Sequence, residues 1–182
     1  HPKTFNGYVA HDPSIWFNNK ELLNLYQNVE NHSFENRFLM ITQVGESQNA
    51  DHLRDHYQSI KKVDERLKSS KNKSLNYHYK QYVDEEHGSV PMIGSIDYLR
   101  WQFDGYRVNI KEIPNQQNLV KDSFEAISRK LNYSFQPTEM YINNVANYLV
   151  KQKKNDLAKQ FFEQNVKNFP VSLQAKEELK KF

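Results

Sequence analysis

His87 stands in the run Asp84-Glu85-Glu86-His87-Gly88, after the last of three strand candidates and ahead of an amphipathic helix. A neutral imidazole in that place can take a proton from a serine hydroxyl and pass it to a leaving group. The plainer reading is a surface-loop histidine among acids. Glu46 follows an earlier strand in Val44-Gly45-Glu46, and Asp51 lies a few residues further on. A carboxylate from either position would hold the imidazole in one tautomer and stabilise its charged form. Both residues also fit as ordinary loop and helix-start acids, Asp51 because a helix N-terminus favours negative charge.

A nucleophile to go with them is missing from the sequence. Gly-x-Ser-x-Gly, the strand-to-helix elbow that presents a reactive serine, occurs nowhere in the 182 residues, which hold 5 glycines. Ser14 and Ser89 have no elbow, and Ser89 is too close in sequence to His87 for the usual geometry. The chain alone is therefore expected not to hydrolyse esters. Asp51-His52-x-x-Asp55-His56 places two histidines at i and i+4, a spacing that can grip zinc. It lacks the Glu of HExxH and a third ligand, so the expectation is an exposed helix face and no metal. The absence of cysteine excludes disulfides and thiolate metal sites.

The elements that must position these residues alternate over residues 1–108. Strand patterns run over 5–10, 37–44 and 75–83. The second contains the continuous apolar run Phe38-Leu39-Met40-Ile41, which suits a strand covered on both faces, as in a parallel sheet. Helical patterns run over 19–29, 49–67 and 90–103, the last with Ile93, Ile96, Leu99 and Phe103 aligned and Pro91 in its first turn. Strand–helix alternation of this kind predicts an α/β fold with a parallel sheet. Three strands are few for such a sheet, and the missing ones are expected upstream of His1.

Gly105, Pro114 and a polar Asn-Gln run mark a linker over 104–117, dividing a first domain, 1–108, from a helical tail, 109–182. The tail reads as helices over 118–131, 138–151 and 155–168 and a last one from Ser172. The spacing of Ala158, Phe162 and Pro170 matches the A-x₃-F…P part of the tetratricopeptide pattern, and Val145-Ala146 falls where that pattern has Leu-Gly. Ile142 and Leu149 replace its Trp and Tyr, so a helical hairpin is expected more firmly than a repeat array.

Composition narrows the classes. Hydrophobic residues make up 37% of the chain, yet 11 Tyr, 11 Phe and 2 Trp provide large rings to bury. The net charge of +3 is mild, and its lysines are interspersed with acids. That distribution lacks the basic stripe of a nucleic-acid binder. No apolar stretch reaches the ~18 residues of a membrane span.

His87-Gly88-Ser89-Val90-Pro91, followed by Leu99-Arg100-Trp101-Gln102-Phe103, resembles the end of the esterase branch of the α/β-hydrolases that includes siderophore (enterobactin-type) esterases. There a His-Gly-Ser-Val loop supplies the catalytic histidine, and a following helix carries a similar Leu-Arg-x-x-Phe run. Pro13-Ser14-Ile15-Trp16 is similar to that branch's Ser-Pro-Ser-hydrophobic-Trp segment, with Asp12 in place of the first Ser. Gly45-Glu46 is similar to its acid-bearing turn. Such esterases often end in a tetratricopeptide-like helical tail.

The resemblance implies the C-terminal part of a serine esterase acting on carboxylic esters, with His87 as general base and then acid, and Glu46 or Asp51 as its orienting acid. It implies a small-molecule ester substrate and no cofactor. Trp16 would line the acyl or alcohol pocket or belong to the core. The competing expectation is a non-catalytic scaffold whose helical tail binds a peptide or another copy of the chain.

Overall fold

The computed structural model describes residues 4–46 and 53–181. The chain divides into two compact units, residues 1–102 and 103–182. The division falls just before residue 108, because Tyr106, Val108 and Ile110 pack against the core of the helical unit.

Among the described residues, the first unit is a three-stranded parallel sheet with helices on both faces. Strands β1 (Gly7–His11), β2 (Arg37–Val44) and β3 (Leu75–Tyr82) lie in the order β1-β2-β3. Phe38 pairs with Gly7 on one side and Asn76 on the other. The apolar run of β2 explains its central place: Phe38, Met40, Ile41 and Val44 are all buried. Alternate side chains serve opposite faces. Ile41 packs with Ile60, Val63 and Leu67 of α2 (Arg54–Ser69). On the other face Phe38 meets Trp101 of α3 (Val90–Gln102) edge-on, and Trp101 stacks on His78.

The seating of α3 differs from its apolar alignment. Its buried positions are Val90, Gly94, Tyr98 and Gln102, while Ile96, Leu99 and Phe103 stay exposed. The reason is Gly94. A Cβ there would lie 2.8 Å from the His11 ring and 2.9 Å from Thr42 Cγ2, so the bare backbone comes down onto the sheet. That close approach fixes which face is inward.

The expected helix over 19–29 is two pieces. Helix α1 (Phe17–Leu25) has Asn18, Asn19 and Lys20 in left-handed conformation, and a 3₁₀ stretch, Tyr26–Asn31, follows it. Asn tolerates that region because its short amide can bond locally.

The second unit consists of α4 (Leu119–Leu131), α5 (Glu139–Lys151), α6 (Asn155–Asn168) and α7 (Leu173–Lys180). Asn132, left-handed at φ 49°, ends α4. The Thr138 and Ser172 hydroxyls accept from the Tyr141 and Ala175 amides and so cap α5 and α7. Val145, Ala146 and Leu149 of α5 join Leu157, Ala158 and Phe162 of α6 in one buried cluster with Ile113, Val120 and Phe124. The small side chains at 146 and 158 let α5 and α6 pack closely as a hairpin.

Candidate functional site

The carboxyl ends of the three parallel strands converge on one place, where open α/β sheets commonly hold their ligands. Asp12 directly follows β1. Its backbone is left-handed, at φ 42°. Its amide donates to the Thr42 carbonyl at 3.0 Å, and the Val44 amide donates to its Oδ1 at 3.3 Å. One bond thus ties the Asp12 backbone to β2 and the other holds its carboxylate, and the residue is only 2% exposed.

The loop after β3 brings His87 to it, with Nδ1 2.9 Å from Asp12 Oδ2. A carboxylate can only accept, so Nδ1 carries the proton and Nε2 is left for another partner. The His87 side chain is 72% exposed, whereas the acid beneath it is buried. A third residue completes the group: His56 of α2 places Nε2 3.1 Å from the same Oδ2. It lies on the inward stripe of α2 with Tyr57, Ile60 and Val63.

A cavity of about 400 Å³ opens beside these side chains. Ser14, Trp16, Leu53 and Tyr57 line it, with Glu85 and Glu86 from the His87 loop. Trp16 is about half exposed there, not a core residue. Burial, with the Asp64, Glu46 and Asp12 charges adding, pushes the Tyr79 phenol up to about 12. Tyr79 therefore stays a donor, and its hydroxyl bonds Gln43 Oε1 at 2.7 Å.

The structure does not bring Glu46 to His87. Glu46 forms an ion pair with Lys61 of α2, both side chains being nearly half exposed. The carboxylate at His87 comes from the end of β1, one strand earlier than the sequence order suggested. Asp51 and His52 lie outside the described residues. His56 is not on an exposed helix face: it is 8% exposed and turned toward Asp12. Ser89 is occupied in the turn before α3, where its hydroxyl accepts from the Glu86 amide and donates to the Glu86 carbonyl. Among the described residues no group of three or more His, Asp or Glu could hold a metal ion.

The sequence reading named His56 only as a zinc-spacing histidine and did not join it or Asp12 to His87. Asp12 was visible only as a departure from Ser-Pro-Ser, although an acid at a strand's carboxyl end was itself a signal. His56 could have been found from its helical spacing with Ile60 and Val63.

Comparison with solved structures bears on the fold. The chain is similar to an IroE-like serine hydrolase from Shewanella oneidensis, with a TM-score of 0.66 and 24% identity over 91% of this chain and 52% of that one. The fold is hydrolase-like. An uncharacterised protein from Capnocytophaga ochracea is also similar, with a TM-score of 0.55 and 14% identity over 98% of this chain and 55% of that one. The chain thus spans about half the length of these solved structures. No protein-family profile matches the sequence, and no curated protein does.

Proposed function

We propose that this chain is the C-terminal part of a serine esterase, in which His87 is the general base and Asp12 its orienting acid. The observation that carries the reading is the 2.9 Å contact between a buried carboxylate and Nδ1 of an exposed imidazole beside a cavity. In the proposed reaction His87 Nε2 takes the proton of a serine hydroxyl as that oxygen attacks the ester carbonyl. It then returns the proton to the leaving alcohol. Water repeats the sequence on the acyl-enzyme. Asp12 keeps Nδ1 protonated and stabilises the imidazolium through both halves. The serine is assigned to sequence outside these 182 residues, since no nucleophile elbow lies within them.

The test is hydrolysis of short-chain p-nitrophenyl esters by the full-length protein. His87→Ala is expected to lower kcat by on the order of 10³-fold or more. Ser14→Ala is expected to retain activity within about threefold, because a loop serine without an elbow contributes no transition-state interaction. An inert full-length protein, or a fully active His87→Ala, would sink the reading. Loss of activity on Ser14→Ala alone would move the nucleophile into this chain.

A second reading concerns the helical unit alone. A groove of about 610 Å³ runs among Val120, Phe124, Phe135, Ile142 and Phe161, giving that unit an apolar concavity. With the partial tetratricopeptide spacing at Ala158, Phe162 and Pro170, this favours a repeat-like hairpin that binds a second copy of the chain. Sedimentation would test it: Phe161→Glu should convert a dimer to a monomer, and a wild-type monomer at high concentration would remove the reading.

A further inference from the structure

We infer that His56 is a positioning residue for the site, clamping the Asp12 carboxylate that orients His87. The inference rests on the reading of His87 and Asp12 as base and acid. Asp12 Oδ2 receives two imidazole nitrogens, His87 Nδ1 at 2.9 Å and His56 Nε2 at 3.1 Å, while Oδ1 receives the Val44 amide. A buried carboxylate needs its lone pairs occupied, because unmade hydrogen bonds there are expensive.

The two imidazoles are not equivalent. The His87 side chain is 72% exposed and can move a proton to a substrate; that of His56 is 9% exposed. His56 is also held on the inward face of α2, with its ring edge-on to Tyr57 at 5.4 Å. A buried, ring-packed donor is a poor proton shuttle and a good anchor. Its Nε2–H therefore fixes the direction of Oδ2, and through it the tautomer and angle of the His87 ring. This is the arrangement in which an outer hydrogen bond tunes a functional group it does not itself replace.

The experiment uses three variants of the full-length protein. His56→Phe keeps an aromatic ring and removes the donor. His56→Leu also removes the donor, with a side chain smaller than Phe, should Phe fail to fold. His56→Gln restores a donor at similar reach. The first readout is the pair of imidazole ¹⁵N signals of His87, assigned with His87→Ala, which report its tautomer without any substrate. The second is kcat and KM on a p-nitrophenyl ester.

His56→Phe is expected to turn a single Nδ1–H tautomer into a mixture and to lower kcat by about 10–100-fold. KM should stay within about twofold and Gln should recover most of the loss, since the interaction lost is realised at the reacting group and not in binding. Unchanged His87 signals and unchanged kcat in a folded Phe or Leu variant would overturn the inference. The esterase reading fails separately. If the wild type cleaves no ester while the His87 tautomer still depends on His56, the clamp stands without that reaction.

Discussion

Asp12 and Glu46 both sit just past the carboxyl end of a strand, yet their surroundings give them different weight. Asp12 is buried and bonds His87, His56 and the Val44 amide; Glu46 meets one lysine at the surface. Asp12→Asn should lower kcat of ester hydrolysis by roughly 10²–10⁴-fold, since an amide can present its NH₂ to Nδ1 and favour the wrong tautomer. Glu46→Gln should leave kcat within about threefold, because an exposed ion pair contributes little. The same assay reads both, and equal losses would return Glu46 to the site. The sequence located the His87 loop because its neighbours form a compact motif. It did not show which carboxylate lies against His87, because two carboxylates in similar turns differ only in which one the folded sheet buries. Nothing in the spacing of Asp12 and Glu46 records that Lys61 occupies the latter.

At the scale of elements, the three strands and most of the helices were legible, because apolar runs and helical spacing report burial directly, whereas the stretch 19–29 was broken by left-handed residues at 18–20. The β2 run Phe38-Leu39-Met40-Ile41 is indeed the doubly covered central strand. The facing of α3 was not legible. Alignment of Ile96, Leu99 and Phe103 favoured one face, and the backbone approach at Gly94 selected another. Gly94→Ala should therefore destabilise the first unit by about 1–3 kcal/mol, as overpacking does. Urea unfolding followed by Trp101 fluorescence would measure it.

The residue Gly94 accommodates, His11, carries a pH dependence. Its ring bonds Thr42 and Ser95 at 3.1 Å each, and burial holds its pKa below 6.5. The unfolded chain then binds the proton more readily than the folded one, so this contribution is present above pH 6.5 and is lost as pH falls through the lowered folded value. Thermal unfolding should show a Tm that drops from pH 7.5 to about pH 5.5, and His11→Gln should make that drop smaller.

At the scale of the whole molecule, each of the two units holds its own buried hydrophobic clusters among the described residues, and these depend on a few large side chains. Phe162 is 1% exposed at the centre of the helical cluster. Phe162→Ala should remove about 3–5 kcal/mol from the helical unit, by lost burial and the cavity left behind. Hydrogen exchange at the α5 and α6 amides would report it. This core was readable in advance, because Val145, Ala146, Leu149, Ala158 and Phe162 repeat at helical spacing. The assembly of the site was not, because it joins residues 12, 56 and 87 from three separate segments.

The sheet order has a practical side as well. Among the described residues, β1 and β3 are each paired on one side only, with β2 between them. Strand β1, Gly-Tyr-Val-Ala-His, carries neither lysine nor proline, the residues that commonly discourage edge-to-edge association. The outer backbone edge of β1 could therefore pair with the edge of another chain, and association would increase with concentration. Light scattering against concentration would then rise early, and a lysine introduced at Tyr8, which is 40% exposed, would delay it.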